Sequence, residues 1–310
     1  MDLGVHLPLM PFGDEPLSLG RLRKAVDAAR ECGFAAVSAN DHFVFRTAWL
    51  DGPTALASVI EASGGLTLAT TVALSALRGP VPLAKALAAI DILSDGRLVA
   101  AVGPGSSKRD YDALGVAFDE RWKRFDESLL VLRALLGGGP LPEGARHFRV
   151  PADLELTPAP VRPVPVWVGS WGSKAGLARV GRAGDGWLAS AYNTTPERFS
   201  AARAVLTRAL HDQGRDGSDF PNALATMWTW IARDRAEGDR VLVDILAPLL
   251  NRDPDELRPQ VCVGSVEHCA ELLSRYAEAG CQRVYLWPLG DERRQLEMLA
   301  DEVAPKLGAG

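Results

Sequence analysis

Residues 83–105, LAKALAAIDILSDGRLVAAVGPG, contain a complete helix-to-strand unit and decide the fold class. An apolar run of helical length ends at Leu93, and the pair Asp95-Gly96 that follows is typical of a turn. The short apolar run Leu98 to Val102 comes next and leads into a glycine-containing loop. A long helical pattern followed directly by a short strand pattern is typical of parallel β/α units.

The same alternation continues along almost the whole chain. It predicts eight strands, at residues 3–7, 35–39, 66–73, 98–102, 164–168, 186–190, 223–232 and 283–287. Helical patterns accompany them at residues 19–32, 53–62, 83–93, 120–136, 174–183, 196–213, 266–279 and 291–307. Eight such units match the size of one (β/α)8 TIM barrel of the α/β class, so we expect residues 1–310 to form a single domain.

A doubly wound sheet is built from the same local units and is the main alternative architecture. Such a sheet usually has a glycine-rich dinucleotide turn after its first strand. Here the first strand runs into residues 8–13, PLMPFG, whose prolines cannot present a row of backbone N–H groups. The barrel is therefore preferred, with insertions after strand four (residues 137–163) and strand seven (residues 233–259).

Composition excludes several classes of protein. The 310 residues carry a formal net charge of -5 without a run of five like charges, which argues against nucleic-acid binding. No apolar run approaches the roughly 18 residues needed to cross a bilayer. Residues 1–4, MDLG, lack the features of a secretory signal, so we expect a cytoplasmic protein. The four cysteines and five histidines show no metal-binding spacing, and we expect no metal site.

Three predicted strand ends carry candidate functional residues, because barrel chemistry lies where strands end. Strand two ends before Asp41 and His42, an acid and an imidazole that suit proton transfer near neutral pH or, alternatively, a helix cap. Strand five runs into small residues before a helix and one lysine, which favours a phosphate site built by Gly169, Ser170, Trp171, Gly172 and Ser173. Strand four ends in Gly103, Gly105 and Ser106, where backbone can approach a flat or anionic ligand or make a tight turn.

Together these segments resemble the luciferase-like family of flavin- or deazaflavin-dependent oxidoreductases over essentially the entire chain. The resemblance is specific as a set and not for any one motif alone. It is carried by residues 40–43 (NDHF), 82–105 with IDILSDGR and GPG, 118–121 (FDER), 165–169 (PVWVG), 182–187 (RAGDGW), 263–265 (VGS) and 278–280 (EAG).

The resemblance implies a (β/α)8 barrel, usually a homodimer, that holds FMN or the deazaflavin coenzyme F-420 at the carboxyl ends of its strands. The cofactor phosphate is expected at residues 169–173, which coincides with the site reached from the residues themselves. The ring is expected against the end of strand three, near Thr71, Val72 and Ala73, where the family often has a bulge with a non-proline cis peptide.

The pair Asp41-His42 and the compact length look more like the deazaflavin-using branch, so coenzyme F-420 is our first expectation and FMN the alternative. The chain departs from the deazaflavin-dependent sugar-phosphate dehydrogenases at Ser106, where those enzymes place a glutamate. Neither Arg109 nor Asp110 can simply take over that role.

The leading hypothesis is hydride transfer between coenzyme F-420 and a small organic substrate, with His42 as proton donor or acceptor. Asp41 would orient His42 or bind the polar edge of the cofactor ring. The alternatives are an FMN-dependent monooxygenase that uses reduced FMN and oxygen, a non-catalytic ligand-binding barrel and, fourth, a phosphate-binding aldolase or isomerase. No NADH-binding motif is visible, so a separate reductase or dehydrogenase would supply reduced cofactor.

Five aromatic residues and one methionine near strand ends indicate a largely apolar or planar substrate. The residues in question are Met10, Phe43, Trp49, Trp228, Trp230 and Trp287. The substrate pocket is expected to be built from residues 45–52 and the two insertions. The sequence does not identify the substrate.

Overall fold

A computed structural model describes residues 1–307 and consists of parallel strands that alternate with helices. The strands are β1 (Asp2–His6), β2 (Ala36–Ala39), β3 (Thr67–Leu74), β4 (Leu98–Gly103), β5 (Val166–Gly169), β6 (Gly186–Ser190), β7 (Asn222–Ile231), β8 (Cys262–Gly264) and β9 (Arg283–Pro288). The α-helices are α1 (Leu19–Glu31), α2 (Gly52–Ser58), α3 (Ser75–Arg78), α4 (Pro80–Leu93), α5 (Lys108–Ala113), α6 (Arg121–Gly137), α7 (Lys174–Ala183), α8 (Pro196–His211), α9 (Arg235–Arg240), α10 (Ala247–Leu250), α11 (Pro254–Leu257), α12 (Val266–Glu278) and α13 (Glu292–Met298).

Eight of the strands close into a parallel barrel, as the sequence predicted. Strands β1 to β6 follow one another around the ring, β7 pairs with β6 and β9, and β9 pairs with β1. Each predicted strand lies within two residues of the observed one. The additional strand β8 pairs with the last residues of β7, outside the ring, and was not predicted. Its three residues are too few to show a strand period.

Helix ends follow from local chemistry. The side chain of Ser18 accepts a hydrogen bond from the Arg21 amide at the start of α1, and Ser265 does the same for His268 at the start of α12. Gly33 and Gly280 adopt positive φ just beyond the ends of these helices. Within residues 1–307, no helix is both long and apolar enough to cross a membrane.

The barrel interior is filled by two large side chains among small ones. Trp167 and Tyr285 are almost fully buried there with alanines from β2, β3, β4 and β7. Gly4 and Gly186 make room for them, because a Cβ atom at Gly4 would lie 2.7 Å from the Tyr285 ring and one at Gly186 would lie 2.4 Å from the Trp167 ring. With its interior packed, the barrel can bind a ligand only above the carboxyl ends of its strands.

The first predicted insertion, residues 137–163, lies on the outside of the barrel. The amides of Arg146 and His147 donate to Glu127 Oε2 on α6, at 2.9 and 2.7 Å. A Cβ atom at Gly79, which follows Arg78 beyond the end of β3, would lie 3.8 Å from Phe148, and a contribution of this segment to the substrate pocket stays a prediction. The segment follows a helix, so it starts at the amino-terminal face of the barrel and returns along α6.

The second predicted insertion, residues 233–259, follows β7 and lies at the opposite face. It is helical in its middle, with α9, a π-helix over Val241–Leu246 and α10. Arg46 donates to the Leu249 carbonyl at 2.5 Å, and Arg252 donates to Asn193 Oδ1 at 2.8 Å. The segment therefore bridges the loops that follow β2 and β6, at the mouth of the barrel.

Candidate active site

The loop after β2, residues 40–51, carries the predicted pair and is called here the His42 loop. His42 and Asp41 have different hydrogen-bond partners. His42 Nδ1 lies 2.7 Å from Asp110 Oδ2, and Asp41 binds Arg78. The expectation that Asp41 orients His42 is therefore wrong. Contact of Asp41 with the cofactor ring stays a prediction.

Asp110 is a candidate site residue that sequence reasoning missed. It lies on α5, which begins after Ser107, whose side chain accepts a hydrogen bond from the Asp110 amide. The Asp110 carboxylate accepts hydrogen bonds from the amides of Phe43 and Val44, at 2.9 and 2.7 Å. Burial raises the pKa of this carboxyl, but the hydrogen bonds from His42 and Val44 outweigh it and hold the pKa below its usual range.

Asp41 belongs to a second ionic group at the ends of the His42 loop. Arg78 donates to both oxygens of Asp41 at 2.6 Å and also pairs with Asp51. The Leu74 amide donates to Asp41 as well, at 3.1 Å. One arginine therefore fastens the first and last parts of the His42 loop to α3, just beyond the end of β3.

An aromatic wall continues from His42 across the mouth. The His42 ring lies 4.7 Å from Phe45 and 4.5 Å from Trp49, and Trp49 meets the edge of Trp287 at 5.5 Å. Trp287 stacks on Trp228 at 4.1 Å. The wall includes three of the six aromatic or sulfur-containing residues predicted to border an apolar site. It gives His42 an apolar neighbourhood on its loop side.

Phe43 lies on the other side of the loop, beneath the Arg78 guanidinium at 4.7 Å. These two residues begin a groove of about 230 Å³ that continues along Leu83 of α4 to Leu114. Arg78 is the only charged residue in its lining, and Asp41 and Asp51 neutralise it. The groove is thus apolar in character.

A second histidine, His6, lies beneath the wall and cannot serve as an acid. Its Nε2 accepts the Asn40 amide hydrogen at 3.0 Å, so the ring proton sits on Nδ1, which lies 2.7 Å from the Leu7 carbonyl. The ring stacks on Trp287 at 3.5 Å. Complete burial lowers the pKa of His6 to about 3, so the ring is neutral.

Strand β3 has the bulge expected from the resemblance. The peptide bond between Thr71 and Val72 is cis, and the pairing with β4 shifts register between Thr71 and Ala73. The Val72 side chain fills space beside Gly103 and Gly169, where a Cβ atom would lie 2.9 and 2.8 Å from its methyl groups. These two glycines therefore make room for the bulge itself, a role that the sequence did not reveal.

Gly105 and Ser106, the other two residues predicted as cofactor contacts after β4, do not make room for Val72. A Cβ atom at Gly105, which has a φ of +80°, would lie 3.0 Å from Leu74. Ser106 is exposed and does not cap α5, which begins after Ser107. Both stay predicted cofactor contacts.

The predicted phosphate site forms the turn between β5 and α7. Ser173 caps α7 by accepting the Gly176 amide at 3.2 Å, and Ser170 accepts the Gly172 amide at 3.3 Å. Trp171 is 57% exposed, beside the first turn of the helix. Because the first amides of a helix have no partner within it, this turn presents donors to solvent.

Several buried side-chain oxygens have no hydrogen-bond partner within residues 1–307, and two of them lie near the ends of β2 and β3. These two are Asn40 Oδ1, just after β2, and Thr71 Oγ1, at the bulge of β3. The two strands are neighbours, with Ala39 opposite Thr70. Buried polar atoms are nearly always satisfied in a working protein, so this edge of the mouth fits a ligand whose rim carries polar groups.

Comparison with known proteins is consistent with this geometry. The family model described as luciferase-like monooxygenase matches residues 2–249. An F420-dependent hydroxymycolic acid dehydrogenase from Mycobacterium tuberculosis is 29% identical over 212 residues, which cover 65% of this chain and 57% of the relative. The chain thus spans less than two thirds of that relative's length.

Two further matches extend over nearly the whole chain. An F420-dependent glucose-6-phosphate dehydrogenase from Amycolatopsis mediterranei is 25% identical over 310 residues, covering 91% of this chain and 92% of the relative. An F420-dependent secondary alcohol dehydrogenase, solved in complex with an F420-acetone adduct, has a TM-score of 0.83 at 17% identity. It covers 99% of this chain and 98% of its own. The last match establishes the fold alone.

Proposed function

The chain belongs to the luciferase-like monooxygenase family of flavin- and deazaflavin-dependent oxidoreductases, and we propose that it transfers hydride between coenzyme F-420 and a largely apolar alcohol or carbonyl compound. The observation that carries this proposal is His42, held by the Asp110 carboxylate beside an aromatic wall. Relatives named as F420-dependent dehydrogenases support the choice of coenzyme.

The residues at the mouth suit such a coenzyme. Its flat ring, with N–H and C=O groups at one edge, matches the unpartnered oxygens of Asn40 and Thr71, and we assign the ring to Thr71, Val72 and Ala73. We assign the phosphate to residues 169–173, where the first turn of α7 offers its amides.

When bound, the deazaflavin supplies a ring carbon that accepts or releases hydride. His42 holds or takes up the proton that belongs to the substrate oxygen. The side chains of Trp49, Trp228 and Trp287 keep water from the reacting atoms, since Trp228 and Trp287 are 2% and 0% exposed. The Asp41–Arg78 pair fixes the position of the His42 loop.

The proposed substrate is largely apolar because uncharged side chains surround His42. The aromatic wall lies on one side, and the groove that begins at Phe43 lies beyond the loop. The only arginine of the groove is already neutralised. We therefore expect little affinity for phosphorylated sugars, although one relative bears such an enzyme's name.

We also propose a homodimer that obtains its reduced or oxidised coenzyme from a separate enzyme. Sedimentation equilibrium tests the first part. The second predicts that the purified protein does not reduce coenzyme F-420 with NADH or NADPH.

An equilibrium titration tests the proposed function. Purified apoprotein is titrated with coenzyme F-420 and with FMN, each oxidised and reduced, and binding is followed by absorbance and fluorescence. We expect selective binding of coenzyme F-420. Preference for reduced FMN, with oxygen consumption in the presence of substrate, would replace hydride transfer by a monooxygenase reaction. Binding of neither cofactor would support a non-catalytic barrel.

A further inference from the structure

The two nitrogens of His42 have unequal surroundings. Nδ1 lies 2.7 Å from Asp110 Oδ2, whereas Nε2 makes no hydrogen bond to any residue in the range 1–307. The side chain is 16% exposed, and Phe45 and Trp49 hold its ring. Nε2 is therefore the nitrogen left to meet a ligand.

Asp110 can only accept hydrogen bonds in this setting. Its Oδ1 already receives the amides of Phe43 and Val44, which are obligatory donors. Its Oδ2 faces His42 Nδ1, and an ionised carboxylate has no proton to offer. The hydrogen between these two atoms therefore belongs to Nδ1.

We propose that Asp110 is the positioning residue that fixes His42 in the Nδ1–H tautomer and so makes Nε2 a proton acceptor poised for oxidation of a substrate hydroxyl. Its place on α5 is set by the Ser107 cap, and its side chain is 1% exposed, so its orientation is fixed by the fold. The acceptance of a substrate proton by Nε2 rests on the proposed function. The assignment of the tautomer does not depend on that function.

The path of the proton in alcohol oxidation follows from this tautomer. In oxidation of an alcohol, the C–H bond at the carbinol carbon breaks and its electron pair leaves as hydride to the oxidised coenzyme. The O–H bond breaks and its proton passes to His42 Nε2, so that a C=O bond forms. His42 becomes an imidazolium, which the Asp110 carboxylate stabilises.

Other charged groups near His42 are already paired. Arg78 is bound by Asp41 and Asp51 on the far side of Phe43, and Arg46 reaches the Leu249 carbonyl. Within residues 1–307, Asp110 is the one carboxylate in hydrogen-bond contact with the His42 ring. Replacement of Asp110 should therefore change which nitrogen of the His42 ring carries the hydrogen.

Long-range ¹H–¹⁵N correlation spectra of the histidine rings in the cofactor-free protein test the proposal. The chain has five histidines, and the signals missing from His42→Gln identify His42. We expect the Nδ1–H tautomer in the wild type. In Asp110→Asn, the Asn oxygen still faces the two backbone amides, so its NH₂ group donates to Nδ1 and the ring changes to the Nε2–H tautomer.

Asp41→Asn is the matched control. The side chains of Asp41 and Asp110 are each 1% exposed and each accepts backbone amide hydrogens, but Asp41 makes no hydrogen bond to His42. This variant keeps the Nδ1–H tautomer. An Nε2–H tautomer in the wild type overturns the proposal, and this result needs no variant to fold. An unchanged tautomer in folded Asp110→Asn overturns it as well.

A kinetic experiment tests the consequence for the reaction. With alcohol and oxidised coenzyme, Asp110→Asn lowers the single-turnover rate by about 100-fold or more and removes the acid limb of its pH profile, with coenzyme affinity retained. An unchanged rate and profile would refute the positioning role. Failure of the wild type to bind coenzyme would refute the proposed function instead and leave the tautomer result intact.

Discussion

His6 and His42 lie at the ends of neighbouring strands, and their surroundings give the same imidazole opposite properties. His6 is fully buried, both of its nitrogens have backbone partners, and its pKa is lowered to about 3. His42 has a carboxylate on one nitrogen and no protein partner within residues 1–307 on the other. Burial with complete hydrogen bonding yields a structural histidine, whereas partial satisfaction leaves a nitrogen for chemistry.

The largest expected effect concerns His42. His42→Ala should lower the single-turnover rate of hydride transfer by about 100- to 10,000-fold, because it removes the group that takes the substrate proton. The measurement is stopped-flow absorbance of the coenzyme, with coenzyme binding checked separately. A wild-type rate in a variant that still binds coenzyme would remove His42 from the mechanism.

The ionic group that fastens the His42 loop gives the next effect. Asp41→Ala should lower the free energy of unfolding by about 3 kcal/mol, because it leaves Arg78, whose side chain is 18% exposed, without its buried partner. Asp51→Ala is the matched control on the same arginine. The Asp51 side chain is 41% exposed but also accepts the Thr54 amide as the cap of α2, so its loss should cost less, about 1 kcal/mol, chiefly from the lost cap. Denaturant titration measures both, and equal losses would contradict the comparison.

The buried histidine predicts an effect that depends on pH and is smaller for each pH unit crossed. Between pH 6.5 and about 3 the unfolded chain binds a proton at His6 that the folded chain does not, so stability falls as pH falls through this window. The contribution is about 1.4 kcal/mol per pH unit. His6→Gln, which keeps a donor and an acceptor, should flatten that slope in denaturant titrations.

His211→Gln, at the exposed end of α8, is the control for this experiment and should keep the wild-type slope. If His6→Gln and the wild type lose stability in parallel across this window, then His6 takes up its proton in the folded protein, and the contrast between the two histidines fails.

Sequence reasoning predicted the barrel well and its active site only in part. The strands were visible because each is a short apolar run bounded by turns and separated by a helical pattern. The bulge at Thr71 to Ala73 was expected from resemblance and is present. The hydrogen-bond partner of His42 was assigned to Asp41, its neighbour in sequence, and is Asp110.

The sequence offered one signal that could have found Asp110. Ser107 and Asp110 have the spacing of a helix cap and a residue in the first turn, which would have placed a carboxylate at the mouth after β4. That short helix was not predicted, because six residues are too few to show a helical period.

The sequence by itself determined the order of strands and helices, since these depend on local patterns of apolar residues, caps and turns. Only the tertiary structure decided which carboxylate meets which base. His42 and Asp110 are 68 residues apart, and β3 lies between the strands that carry them. Their contact exists because closure of the barrel brings the loop after β2 and the helix after β4 to the same face, while Asp41 is bound by Arg78 beyond the end of β3.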